Sequence, residues 1–176
     1  AELSIGITTP ANGTTVNIPS LPAPITVAGT IEVLYVTNTE VEVQLGEGGA
    51  WLPAIVTGSG QMRSWSVLGQ VAASGPLRIS ARVFGRSTAG NDLVATDWVT
   101  VTIADVIPPV LTINTPGDTF AGDGRVSRVP VSVDATDSLS GIKTIEWLLD
   151  GVVQITESFT SPFPTHWSAT KEVWIP

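Results

Sequence analysis

The sequence predicts an all-β protein made of two tandem copies of one sandwich, the second lacking its last two strands. Three observations carry that prediction. Valine (22), threonine (22) and isoleucine (14) make up about a third of the 176 residues, and β-branched side chains suit a pleated, half-buried surface better than a helix. Apolar and polar residues alternate at period two in short runs bounded by turn formers, with no helical period anywhere. Segments also recur at a nearly constant offset, the mark of a repeat.

The repeat is legible residue by residue. Ile7-Thr8-Thr9-Pro10 returns as Ile113-Asn114-Thr115-Pro116, and Pro24-Ile25-Thr26-Val27-Ala28-Gly29-Thr30 as Pro130-Val131-Ser132-Val133-Asp134-Ala135-Thr136, both 106 residues later. Val41-Glu42-Val43-Gln44-Leu45 matches Ile145-Glu146-Trp147-Leu148-Leu149 at an offset of 104, and Trp65-Ser66 matches Trp167-Ser168 at 102. Offsets that shrink in small steps are what loop deletions leave behind. The copies meet at Asp105-Val106-Ile107-Pro108-Pro109, where two prolines stiffen a short linker. The expected domains are 1–104 and 110–176, joined by a Pro-rich linker at 105–109.

In the first copy, Leu3 to Thr8 opens the fold and Pro10-Ala11-Asn12-Gly13 turns it. Strands are then expected at Ile25 to Ile31, Val41 to Leu45, Trp51 to Val56, Ser64 to Val67, Leu77 to Phe84 and Asp97 to Ile103. Seven short strands at intervals of roughly ten residues argue an immunoglobulin-type sandwich. In the last strand Val99, Val101 and Ile103 share one face, the core side, and Trp98, Thr100 and Thr102 the other. The second copy has no counterpart to Leu77 to Ile103. A sandwich without those strands exposes an apolar face and unpaired edges. The expectation is a fragment of a longer protein, the alternative being strands supplied from elsewhere.

Charge and composition exclude several function classes. Eight Lys and Arg stand against sixteen Asp and Glu, a formal net charge of −8, so there is no electrostatic footprint for nucleic acid. No run approaches the length of a membrane span. Ala1-Glu2-Leu3 carries no basic and apolar leader and reads as a mature or trimmed end. With no cysteine, disulfides, thiolate metal sites and cysteine nucleophiles are all absent. Charged residues are only 14% of the chain, so the surface is mostly Thr, Ser, Asn, Gln and Gly, as in many exported proteins.

Ile107-Pro108-Pro109-Val110-Leu111-Thr112-Ile113-Asn114-Thr115-Pro116 resembles the opening strand of bacterial Ig-like domains. Asp137-Ser138-Leu139-Ser140-Gly141-Ile142, followed by Ile145-Glu146-Trp147-Leu148-Leu149-Asp150-Gly151, resembles their passage from an Asp-Ser-Gly loop into a strand ending in Asp-Gly. The resemblance covers most of both copies and is closer in the second. It implies repeated modules of secreted or surface bacterial proteins, serving as spacers, adhesin stalks or appendages to enzymes.

Catalytic groups are scarce. His166 is the sole histidine, which leaves little for a serine triad, and Gly58-Ser59-Gly60 is a turn. Glu40, Glu42 and Glu47 read as exposed strand-face acids rather than a glycosidase pair. No enzyme is expected and no cofactor, with one exception to consider. Asp105 in the linker and Asp134 and Asp137 in the second copy are hard oxygen ligands that could meet a Ca²⁺ at the domain junction. Asp134 and Asp137 equally fit a solvated face and the start of an Asx-turn.

The tryptophans carry the remaining signal. Trp147 falls in phase with Ile145 and Leu149 and is expected in the core, and Trp65 and Trp167 repeat at equivalent structural places. Trp98 lies opposite the apolar face of its strand. Pairing with Leu77 to Phe84 would give it Arg78, Ser80, Arg82 and Phe84 as outer-face neighbours, with Trp51 a second exposed indole. A sugar ring could stack there; the competing reading is a cation–π cover over the sheet. The expected role is a non-catalytic spacer or interaction module whose partners are other domains of the same polypeptide or a partner chain. The alternatives are a carbohydrate-binding or adhesive module, and an accessory domain of a secreted enzyme.

Overall fold

The computed structural model describes residues 1–114 and 127–175, and the chain divides into two compact units, Ala1–Val106 and Ile107–Pro176. Thr115-Pro116 of the repeat lies outside the described residues.

The N-terminal unit runs β1 (Glu2–Thr9), β2 (Thr15–Ile18), β3 (Ala23–Leu34), β4 (Val36–Leu45), β5 (Trp51–Pro53), β6 (Ile55–Thr57), β7 (Met62–Val71), β8 (Gly75–Ser87) and β9 (Asp92–Asp105). One sheet has the order β1-β3-β7-β6, the other β2-β9-β8-β4-β5. Alternation places Val27, Ile31, Val43, Ile79, Val83 and Val101 fully inside, and Val99 and Ile103 join them as their phase predicts. Trp65 of β7, only 1% exposed, is the largest side chain in this core. It lies across Gly29 of β3, its register partner, where a methyl group would press within 2.6 Å of the indole.

Two elements depart from expectation. Trp51 to Val56 is not one strand: β5 pairs with β4 and β6 with β7, so the chain changes sheet at Ala54, whose N–H donates to the Val41 carbonyl at 2.8 Å. The four-residue β2 has no counterpart in the expected set, because only Val16 and Ile18 mark it. It runs parallel to β9 and is tied in by Gly13 N–H to Thr100 O, 2.7 Å, and Thr102 N–H to Thr14 O, 3.0 Å. The N-terminal segment thereby passes from the edge of one sheet to the edge of the other. A bulge on β1 beside Thr9 accompanies an Ile7 N–H that donates to Asp97 Oδ2 of β9, 2.8 Å away.

The C-terminal unit holds β10 (Val110–Asn114), β11 (Ser127–Thr136), β12 (Thr144–Leu149), β13 (Val152–Ser158) and β14 (His166–Ile175). The sheet β10-β11-β14 faces a β12-β13 hairpin, whose two-residue turn Asp150-Gly151 has φ of 49° and 77°, the positive values a type I′ turn needs. Val133, Ala135 and Ile142 are buried. Trp167 stands edge-on to Trp147, 6.1 Å between centroids, and to Phe159 at 6.3 Å, so both repeated indoles are structural. Trp147 and Ile145 are half-buried, whereas Leu149, expected in phase with them, is exposed at the hairpin tip beyond a register shift at Leu148.

Leu111 and Ile113 of β10 are 53% and 57% exposed. Their repeat counterparts Ile5 and Ile7 are half-buried and packed against the core of the N-terminal unit, which β8 and β9 help to form. The described residues of the C-terminal unit include no counterpart of those two strands. Leu111, Ile113, Val133, Ala135, Ile142 and Trp147 instead line an open cleft of about 510 Å³.

Candidate functional site

The outer face of the five-stranded sheet brings together all five side chains expected there. Trp98 of β9 is opposite Ser80 of β8, Ser80 opposite Gln44 of β4, and Gln44 opposite Trp51 of β5. These four residues form one straight row, its ends three inter-strand spacings, about 14 Å, apart. Arg78 and Arg82 sit two residues either side of Ser80 on β8, so their side chains emerge on the same face.

Each arginine stacks on an aromatic ring and pairs with an acid. Arg78 Cζ lies 4.7 Å from the centroid of Trp98, and its Nη1 is 3.2 Å from Glu47 Oε1. Arg82 Cζ lies 3.9 Å from the Trp51 ring and 4.9 Å from the Phe84 ring. Arg82 also donates from Nε to Glu42 Oε2 at 2.8 Å, with Nη2 2.6 Å from the same oxygen. Glu47 stands in the turn between β4 and β5, where Gly46 and Gly48 take the φ of 79° that the reversal requires. Gln44 Nε2 braces that turn by donating to the Gly49 carbonyl at 2.7 Å.

The two ion pairs cancel charge along the strip between Trp98 and Trp51. Stacking contributes about 0.5–1 kcal/mol per exposed cation–π pair, and it holds each ring in a fixed plane. Trp98 remains 56% exposed, while Trp51 and Phe84 are half-buried. The role of Glu42 follows from its place opposite Arg82 in the β4–β8 ladder, and those of Glu47 and Trp51 from the β4–β5 hairpin. The glycines at 46, 48 and 49 signalled that turn in the sequence, but its register was not legible there.

Of the three aspartates considered for calcium, one lies in the N-terminal unit and two in the C-terminal unit. Asp105 ends β9 in the N-terminal unit, opposite Ile18. Asp134 Oδ2 is 2.9 Å from His166 Nε2 across the β11–β14 ladder. Asp137, 7% exposed, accepts from the N–H groups of Leu139 and Ser140 and from Ser140 Oγ. That is the Asx-turn its spacing allowed. Among the described residues no three His, Cys, Asp or Glu side chains gather as a metal-holding group. Nor is any helix there long and apolar enough to cross a membrane.

Two packed sheets, with the first strand pair divided between them and the order β1-β3-β7-β6 over β2-β9-β8-β4-β5, define an immunoglobulin-type β-sandwich module. Residues 109–173, nearly all of the C-terminal unit, match the family model of the bacterial Ig domain. No curated protein sequence matches the chain. Among solved structures, the chain is similar to BcpA, the major pilin subunit of Bacillus cereus, at 10% identity and a TM-score of 0.32, over 96% of this chain and 55% of that one. It is also similar to the CsuC–CsuE chaperone–tip adhesion subunit pre-assembly complex from the archaic chaperone-usher Csu pili of Acinetobacter baumannii. There the identity is 9% and the TM-score 0.22, over 96% of this chain and 99% of that one. At these scores neither likeness carries weight for function.

Proposed function

We propose that the chain is a non-catalytic spacer and interaction module of an exported bacterial multidomain protein, working at the cell surface or outside the cell. The observation that supports this most is the employment of its ionisable side chains. Glu42 and Glu47 neutralise arginines on a sheet face, Asp97 holds the bulge of β1, Asp137 ties its own loop, and His166 pairs with Asp134. Each serves the β-framework. The bacterial Ig domain match over residues 109–173 supports the same class of job.

The partners are then the domains on either side, and Pro108-Pro109 limits how freely the two units move. The chain contains no cysteine, so Thr26→Cys and Thr156→Cys, both at exposed positions, give a clean dye pair for single-molecule energy transfer. A narrow distance distribution that broadens when Pro108 and Pro109 become glycine supports a semi-rigid spacer. A broad distribution indifferent to that change contradicts it. The Trp98–Trp51 strip favours a second reading, an adhesive contact made by the module itself.

A further inference from the structure

We infer that the strip Trp98–Ser80–Gln44–Trp51 is a binding site for a neutral polysaccharide chain laid across the strands of the five-stranded sheet. The inference rests on the adhesive reading and gives its ligand a chemical class. Three features of the strip select that class.

The first is shape. The row is straight and lies on a sheet face, with an indole at each end and about 14 Å between them, the span of a short run of sugar rings. Aromatic planes bind the apolar faces of pyranose rings by burying them and by contact with their C–H groups. Trp98, 56% exposed, offers the larger free surface, and Arg78 stacked at 4.7 Å fixes its orientation. A ring held in place before binding loses less rotamer freedom when ligand arrives.

The second is charge. Arg78 and Arg82 are already neutralised by Glu47 and Glu42. An anionic polymer would have to displace those carboxylates, and the chain as a whole carries −8, which repels polyanions at long range. A cation finds the acids already engaged. An uncharged hydroxylated ligand meets neither penalty.

The third is the polar lining. Ser80 lies between the indoles in the row, and Thr96 and Thr100 flank Trp98 on β9, all on the outer face. Their hydroxyls donate and accept, as sugar hydroxyls do. A face meant only to shield the sheet would be served by Arg82 stacked against Trp51 and Phe84. That purpose gives no reason for an indole as exposed as Trp98.

The test is affinity electrophoresis of the full chain in gels containing hydroxyethyl cellulose, soluble β-1,3-glucan or arabinoxylan as neutral probes and alginate as the anionic one. The inference predicts retardation in at least one neutral gel and none in alginate. Trp98→Ala should weaken that retardation roughly tenfold, and Trp51→Ala by less, as expected when one exposed aromatic anchor dominates. Trp98→Ala should leave the melting midpoint nearly unchanged, because Trp98 lies outside the core. Retardation only in alginate, and sensitive to Trp98, keeps the adhesive reading and overturns the neutral ligand. No retardation in any gel overturns both, and neutral retardation untouched by Trp98→Ala overturns the site.

Discussion

Replacing Gly29 by alanine should be among the most damaging single-methyl changes in the N-terminal unit. Gly29 stands in β3 between Ile7 of β1 and Trp65 of β7. A Cβ there would collide with the Gly6 carbonyl and come within 2.6 and 2.8 Å of two ring atoms of Trp65. The carbonyl belongs to a paired strand and cannot step aside, and the indole is 1% exposed, with no free volume to turn into. Overpacking of this kind costs about 1–3 kcal/mol, and the backbone collision puts Gly29→Ala at the upper end. For a unit of about a hundred residues, about 3 kcal/mol lowers the melting midpoint by roughly 12 °C. Gly6→Ala is the matched control, because a Cβ on that strand residue meets nothing within 4 Å; it should change stability by no more than about 0.5 kcal/mol. Thermal and urea unfolding followed by near-ultraviolet circular dichroism reads both. If Gly29→Ala were as stable as Gly6→Ala, the packing of Trp65 across β3 would be wrong.

Four further expectations use other parts of the molecule. Trp65 Nε1 is buried without a hydrogen-bond partner, so Trp65→Phe should lower stability far less than Trp65→Ala, for which about 3–5 kcal/mol is expected; urea midpoints rank the two. Asp97→Ala leaves the Ile7 N–H without its acceptor, and a loss of about 1–3 kcal/mol should appear in the same assay, with faster amide exchange confined to β1. Asp137→Ala removes three hydrogen bonds that a buried carboxylate accepts from its own turn and should destabilise the C-terminal unit, while calcium or a chelator leaves the wild-type melting curve unchanged. A calcium-dependent rise in melting temperature would instead support a metal role for Asp105, Asp134 and Asp137. The apolar cleft should bind a hydrophobic dye, and Ile113→Lys should reduce the dye signal without moving the transition of the N-terminal unit.

Period-two alternation made the long strands legible, since Val99, Val101 and Ile103 could only face inward once Trp98, Thr100 and Thr102 faced out. It could not reveal β2, where two apolar residues in four are too few to show a phase. It also could not reveal the change of sheet at Ala54, because Trp51 to Val56 is a continuous apolar run while the hydrogen-bond partner switches from β4 to β7. The candidate face was legible through β8 and β9 alone, as adjacent strands fix which residues neighbour Trp98. Trp51 needed the hairpin register as well, and Glu42 and Glu47 needed side-chain directions that a linear pattern does not contain. The open cleft was legible for a different reason: the repeat supplies its own reference, and among the described residues Leu111 and Ile113 lack what covers Ile5 and Ile7.

As an interaction module, the protein is proposed to make its contact through one sheet face. Indole N–H resonances test it most directly, because six tryptophans report from different places in one spectrum. Titration with cello- and laminari-oligosaccharides should shift the Trp98 signal most and the Trp51 signal next, leaving the buried Trp65 and the paired Trp147 and Trp167 in place. Shifts that spare Trp98, or no shift at all at millimolar sugar, would contradict it.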